Sequence, residues 1–151
     1  MAKAGYTAAT GATVATGTAL KTILSVIAPA QFGVDLKKFR IGFDGVTASA
    51  VPVLVEIWSF TTDGTGTSGT VNQVYGRSIT AGFTTKYNYT VEPTSLTGPL
   101  ESYTLTPNGG LLVYDFPLGD TPDCAVSNGF ALRTTSAATV GARATFWFER
   151  C

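Results

Sequence analysis

The sequence contains no histidine. That absence removes the Ser/His/Asp triad, the Cys/His nucleophile pair, imidazole metal ligands and the commonest general base together. Cysteine is almost as scarce: only Cys124 and Cys151 occur, too few for a disulfide framework or a cysteine-based zinc site. Charged residues make up 13% of the chain. An ordinary soluble domain has about 25%, so uncharged polar groups must cover much of this surface. Ten basic and ten acidic side chains cancel, which leaves no electrostatic footprint for nucleic-acid phosphates or an anionic membrane. Long apolar runs are missing too, since the stretch 51–58 is interrupted by Pro52 and Glu56 and falls far short of the ~20 residues that cross a bilayer. Residues 1–19 are an Ala/Thr/Gly mixture without a leucine-rich segment, so no export signal is expected and synthesis in a cytoplasm is.

What is present is threonine, with 25 residues, and glycine, with 17, in a chain of 151 residues long enough for one domain with a packed core. Residues 1–18 carry only small side chains apart from Lys3 and Tyr6. They predict an extended N-terminal arm, mobile until it meets a partner, ahead of a domain spanning 19–151. Beyond the arm the apolar period is two, and no helical i, i+3, i+4 pattern persists. Phe83, Thr85, Tyr87, Tyr89 and Val91 share one face of a strand, and Val140, Ala142, Ala144, Phe146 and Phe148 share one face of the closing strand. Nine strands are expected, at 19–28, 34–43, 51–61, 71–79, 83–91, 100–106, 111–116, 130–135 and 140–149. Asp44-Gly45, Asp63-Gly64, Asn108-Gly109-Gly110 and Asn128-Gly129 supply reversals between them. Short strands at this spacing predict an all-β, two-sheet antiparallel sandwich, with a jelly roll preferred over an immunoglobulin-like Greek key.

Candidate chemistry is thin. The tract Thr61-Thr62-Asp63-Gly64-Thr65-Gly66-Thr67-Ser68-Gly69-Thr70 holds one carboxylate and no phosphate-loop lysine, and reads as a flexible turn rather than a calcium or sugar loop. Glu56, Glu92 and Glu101 are isolated charges rather than an evident glycosidase pair. Trp58, Trp147, Tyr75, Tyr87 and Tyr89 offer aromatic faces of the kind that stack on sugars, although Tyr87 and Tyr89 read as core. Asn88-Tyr89-Thr90 matches a glycosylation pattern of the sort that recurs by chance. Trp147 lies opposite Phe146 and Phe148 and should point outward, which marks an interface. Lys3, Tyr6, Trp147 and Cys151 are therefore the candidate interface residues, with no catalytic residue, metal site or cofactor expected. Cys151 has three open fates: a bridge to Cys124, a bridge to Cys151 of a neighbour, or a free thiol.

Several segments have a familiar cast: Lys21-Thr22-Ile23-Leu24 followed by Ala28-Pro29-Ala30, the Phe43-Asp44-Gly45 turn, the run 50–57 with Pro52, and Phe116-Pro117-Leu118-Gly119. Through them the chain resembles a family of small tailed-bacteriophage virion proteins that decorate the capsid, over residues 20–65 and more loosely 111–120. The resemblance implies a jelly-roll sandwich on the outer capsid surface that cements neighbouring capsomers, with the major capsid protein as partner. Neutral charge and outward apolar groups fit self-association as a dimer or trimer, and neither a nucleic acid nor a membrane is expected as partner. A carbohydrate-binding module or phage receptor-binding tip on the same fold is the alternative, and an enzyme is the least supported reading.

Overall fold

A computed structural model describes residues 3–44 and 51–151. Thirteen strands occur among them: β1 Gly5–Ala9, β2 Val14–Ala15, β3 Lys21–Ile27, β4 Val34–Phe43, β5 Val53–Thr62, β6 Thr65–Ser68, β7 Val71–Tyr75, β8 Thr84–Val91, β9 Thr94–Leu105, β10 Leu111–Asp115, β11 Asp123–Cys124, β12 Gly129–Thr135 and β13 Gly141–Arg150. They form two antiparallel sheets packed as a jelly-roll-like sandwich. One sheet runs β10-β4-β13-β1-β7, with β11 beside β4 and β2 beside β13; the other runs β6-β8-β3-β12-β5-β9. Between them lies the main core, where Phe39, Phe146, Phe148, Leu36 and Ile41 meet Ile23, Leu24, Ile57, Phe130 and Leu132, all fully buried. The closing strand alternates as expected, with Phe146 and Phe148 inward.

The N-terminal arm is corrected. Residues 5–9 form β1, which is hydrogen-bonded to β13 on one edge and β7 on the other, and β2 adds to β13. Ala4, Ala8 and Val14 are buried, and Tyr6 is only 4% exposed. Tyr6 is therefore a core residue rather than an interface residue, packed edge-on to Phe83 at 5.1 Å and stacked on Phe148 at 5.8 Å. Small side chains look poor in burial energy when a segment is taken alone, but they fit a slot between two strands, where the ladder satisfies the backbone.

The Thr/Gly tract is corrected as well, from a flexible turn to paired strand. Pairing of β5 with β9 runs to Thr62 opposite Thr94 and resumes as β6 with β8 at Thr65 opposite Val91, so residues 53–68 and 84–105 form one bent two-stranded ribbon. The ribbon begins beside β12 and ends beside β3, which are themselves paired, and so it arches over the far side of those two strands. This is why β12 is buried on both faces. Under the arch lie Phe60, Ala131, Ser25 and Tyr89. Tyr89 departs from the expected single-face pattern because Asn88, with φ of 52°, breaks the alternation and swings it under the arch. There its hydroxyl lies 2.6 Å from Ser25 Oγ and donates to Asp63 at 2.7 Å; burial, with Asp63 beside it, pushes the phenol well above its ordinary value. Glu92 closes the other end, accepting from the backbone N–H and hydroxyl of Thr22 and standing 3.6 Å from Arg133.

Replacing Tyr6 by Ala should cost about 3–5 kcal/mol, the usual range for a buried aromatic. Tyr6→Phe should hold or raise stability by about 1 kcal/mol, because the buried hydroxyl has no hydrogen-bond partner. Deleting residues 2–16 should lower the unfolding temperature sharply, whereas a free arm would leave it unchanged. Scanning calorimetry of the three variants checks all of this.

Candidate interface on the open sheet face

The arch covers one outer face of the sandwich, and among the described residues the outer face of the β10-β4-β13-β1-β7 sheet has no such cover. Its central feature comes from a bulge. Trp147 pairs with Lys38 and Phe148 with Leu36, so Lys37 has no opposite residue and both lysines emerge on the same side. Lys38 Nζ then sits 4.4 Å from the centre of the Trp147 ring, and the Arg40 guanidinium 5.7 Å from it. Arg143 lies on the same face and donates from Nε to Thr13 Oγ1 at 3.1 Å.

Lys37 turns instead toward an ion cluster. Glu149, only 8% exposed, is approached by Lys37 at 3.4 Å and Lys3 at 3.5 Å, and Lys37 also contacts Asp35 at 2.6 Å. The fifth member arrives from β7: Tyr75 donates its hydroxyl to Glu149 at 2.5 Å. Gly5 permits this. It stands in register between Tyr75 and Glu149, and a Cβ on it would lie 2.2 Å from the Tyr75 ring, so the ring crosses β1 only because that position is bare. Burial alone would raise the Glu149 carboxyl, but the Tyr75 hydroxyl and the Lys37 and Lys3 ammoniums outweigh it and hold the group below its ordinary value. Burial and then the Glu149 carboxylate push the Tyr75 phenol up to about 12. A cleft of about 360 Å³ opens beside the cluster, bordered by Lys38, Trp147, Phe116 and Leu118.

The four interface residues expected from sequence thus separate. Trp147 sits at the middle of the open face and Lys3 at its margin, on Glu149. Tyr6 is core. Cys151 is exposed and exchanges two backbone hydrogen bonds with Gly33, of 2.9 and 3.2 Å. Cys124 pairs with Val34 and packs against the core, and the two cysteines flank the bare Gly33, where an added Cβ would lie 2.4 Å from the Cys124 carbonyl oxygen and 2.7 Å from Cys151 Sγ; both are free thiols. Burial, followed by the Asp123 and Asp35 carboxylates, raises the Cys151 thiol, and burial pushes Cys124 up to about 11.

Trp58 belongs to the other sheet, donating to Glu56 at 2.8 Å with the Arg133 guanidinium 5.6 Å from its ring, so the two tryptophans do not form one platform. Glu92 is held by Thr22 and Arg133, and Glu101 accepts from Tyr103 at 2.8 Å. Among the described residues no group of three or more His, Cys, Asp or Glu is placed to hold a metal ion, and no helix is long and apolar enough to cross a membrane. Sequence reasoning missed Lys37, Lys38, Arg40 and Glu149. One signal was available: Val34 and Leu36 share a parity that Phe39, Ile41 and Phe43 do not, which is the mark of a bulge at Lys37-Lys38.

No family model matches the chain, and no curated protein matches it. Among solved structures it is similar to a chain of the Gx strain of infectious bursal disease virus, at 14% identity and a TM-score of 0.25, over 97% of this chain and 40% of that one. This chain therefore spans two fifths of the length of its structural neighbour.

Two outcomes follow from the cluster and the cysteines. Folding lowers the Glu149 pKa below its ordinary value of 4.5, so its contribution is complete above that pH and is lost as pH falls through the folded value. Glu149→Gln should destabilise the protein at pH 7 and flatten the acid limb of stability, as read by urea unfolding across pH 2 to 7. Both thiols should alkylate under denaturing, non-reducing conditions, with mass spectrometry detecting two adducts per chain.

Proposed function

We propose that this protein is a non-enzymatic structural component of a virion, of the decoration type, that binds the outer surface of a tailed-phage capsid and cements neighbouring capsomers. One observation carries the reading: the outer face of one sheet is roofed by the chain's own ribbon, while the other presents the half-buried Trp147 between two cations with no covering element among the described residues. A partly exposed aromatic flanked by charge is what a protein partner buries. The sequence resemblance supports the same role, and the residues on that face have no arrangement of nucleophile and base. The partner is the major capsid protein, self-association as a dimer or trimer belongs to the same proposal, and the location is the capsid surface.

The purified protein should co-sediment with tailed-phage shells that lack their decoration protein, and Trp147→Ala should weaken retention while leaving the unfolding temperature within a few degrees of wild type. Failure of wild type to sediment, together with binding on a glycan array, would replace this reading with a lectin.

A further inference from the structure

The loop after β10 carries the most exposed large apolar side chain among the described residues. Leu118 is 93% exposed, yet its backbone is held. Asp120 N–H donates to the Pro117 carbonyl at 3.0 Å, and Gly119 has φ of 93°, the geometry of a type II turn with Leu118 at its first central position. The base of the turn is fixed in turn by Phe116, whose N–H donates to the Lys37 carbonyl at 2.9 Å and whose ring packs against Tyr114 at 4.9 Å and Phe39 at 6.0 Å. A leucine presented on an ordered turn loses little conformational freedom on binding.

The charges of the same face are unevenly placed. Asp35, Asp123 and Glu149 gather with Lys3 and Lys37 toward one end, Asp44 lies beside Gly141 at the other, and Lys38, Arg40 and Arg143 stand between them with Asp115 at the β10 edge. Lys3 and Lys37 are engaged with Glu149 and Asp35. Lys38, Arg40 and Arg143 have no carboxylate within ion-pair distance among the described residues, even though Asp115 stands opposite Lys38 in the ladder. Two of the three are held on Trp147, and Leu118 and Trp147 border one cleft.

Resting on the function proposed above, we infer that Leu118 and the Lys38–Trp147–Arg40 stack form one contact epitope, whose counterpart on the capsid protein is an apolar pocket bordered by carboxylates. Leu118 enters the pocket, and the cations meet the carboxylate rim. The apolar anchor gives affinity, and the unpaired cations give register and salt dependence.

The test is quantitative co-sedimentation with decoration-free shells. Leu118→Ala should weaken binding by about tenfold. Joint Lys38→Glu and Arg40→Glu should abolish it, and wild-type binding should fall between 50 and 500 mM salt. Leu100→Ala, an exposed leucine on the other sheet, should bind as wild type. All variants should unfold at the wild-type temperature. Wild-type binding that is indifferent to Leu118→Ala and to the charge reversals overturns this inference and leaves the decoration role standing; absence of wild-type binding removes both. A photo-crosslinking residue at position 118 should capture a capsid segment containing Asp or Glu, and capture of a segment without either overturns the acidic rim.

Discussion

Hydrogen bonding of β13 along both of its edges is the constraint on which the rest of the molecule depends. With β4 on one side and β1 on the other, the strand cannot rotate or slip, and a slip of one residue would exchange its two faces. Its alternation is thereby turned into geometry: Phe146 and Phe148 are committed to the core, Trp147 and Glu149 to the outside. The bulge in β4 acts against this fixed partner. A free strand would relieve an extra residue by fraying, but here Lys37 is forced out beside Lys38, and two functions that a regular strand would place on opposite faces share one.

The two outer faces show how a chain with few charges covers a sandwich. On one side the bent ribbon supplies a roof, and most of the polar groups it traps are matched, Tyr89 with Ser25 and Asp63 and Glu92 with Thr22 and Arg133, while Arg133 Nε stays without a hydrogen bond. Lys86 adds its ammonium to Asp63 at the rim. On the other side the described residues supply no roof, and the buried carboxylate of Glu149 gathers donors from β4, β7 and the segment before β1. Desolvating that carboxylate would be costly alone, and three donors offset the cost. The cluster thus locks the sheet across four strands, while the neighbouring cations stay available to solvent.

Much of the architecture was legible in the sequence, and the exceptions share a cause. Residues 34–43 were read as a strand and are β4, and the outward Trp147 follows from alternation alone. Tyr6, Tyr89 and the Thr/Gly tract were misplaced because their environment is supplied by distant segments. Tyr6 needs Phe83 and Phe148, Tyr89 needs the reversed backbone at Asn88 together with Ser25, and residues 65–68 become a strand only because 86–91 lie beside them. Glu149 was not singled out, since nothing local indicates that Tyr75 can reach it across the bare Gly5. Local bulk and period report what a segment prefers; they are silent on the slot another segment offers.

The position of β1 also bears on how the molecule is made. Its main partner, β13, leaves the ribosome about 140 residues later, because Gly5 pairs with Glu149 and Ala9 with Thr145. β7 has β1 as its neighbour in the sheet, so its pairing is provisional until that late strand arrives. Until β13 emerges the nascent chain carries an early strand without its lasting mate, so closure of this sheet waits on that strand even though the ribbon of the other sheet can pair earlier. Assembly of the domain is therefore ordered, ribbon first and open sheet after it, so the uncovered face is completed only when β13 takes its place.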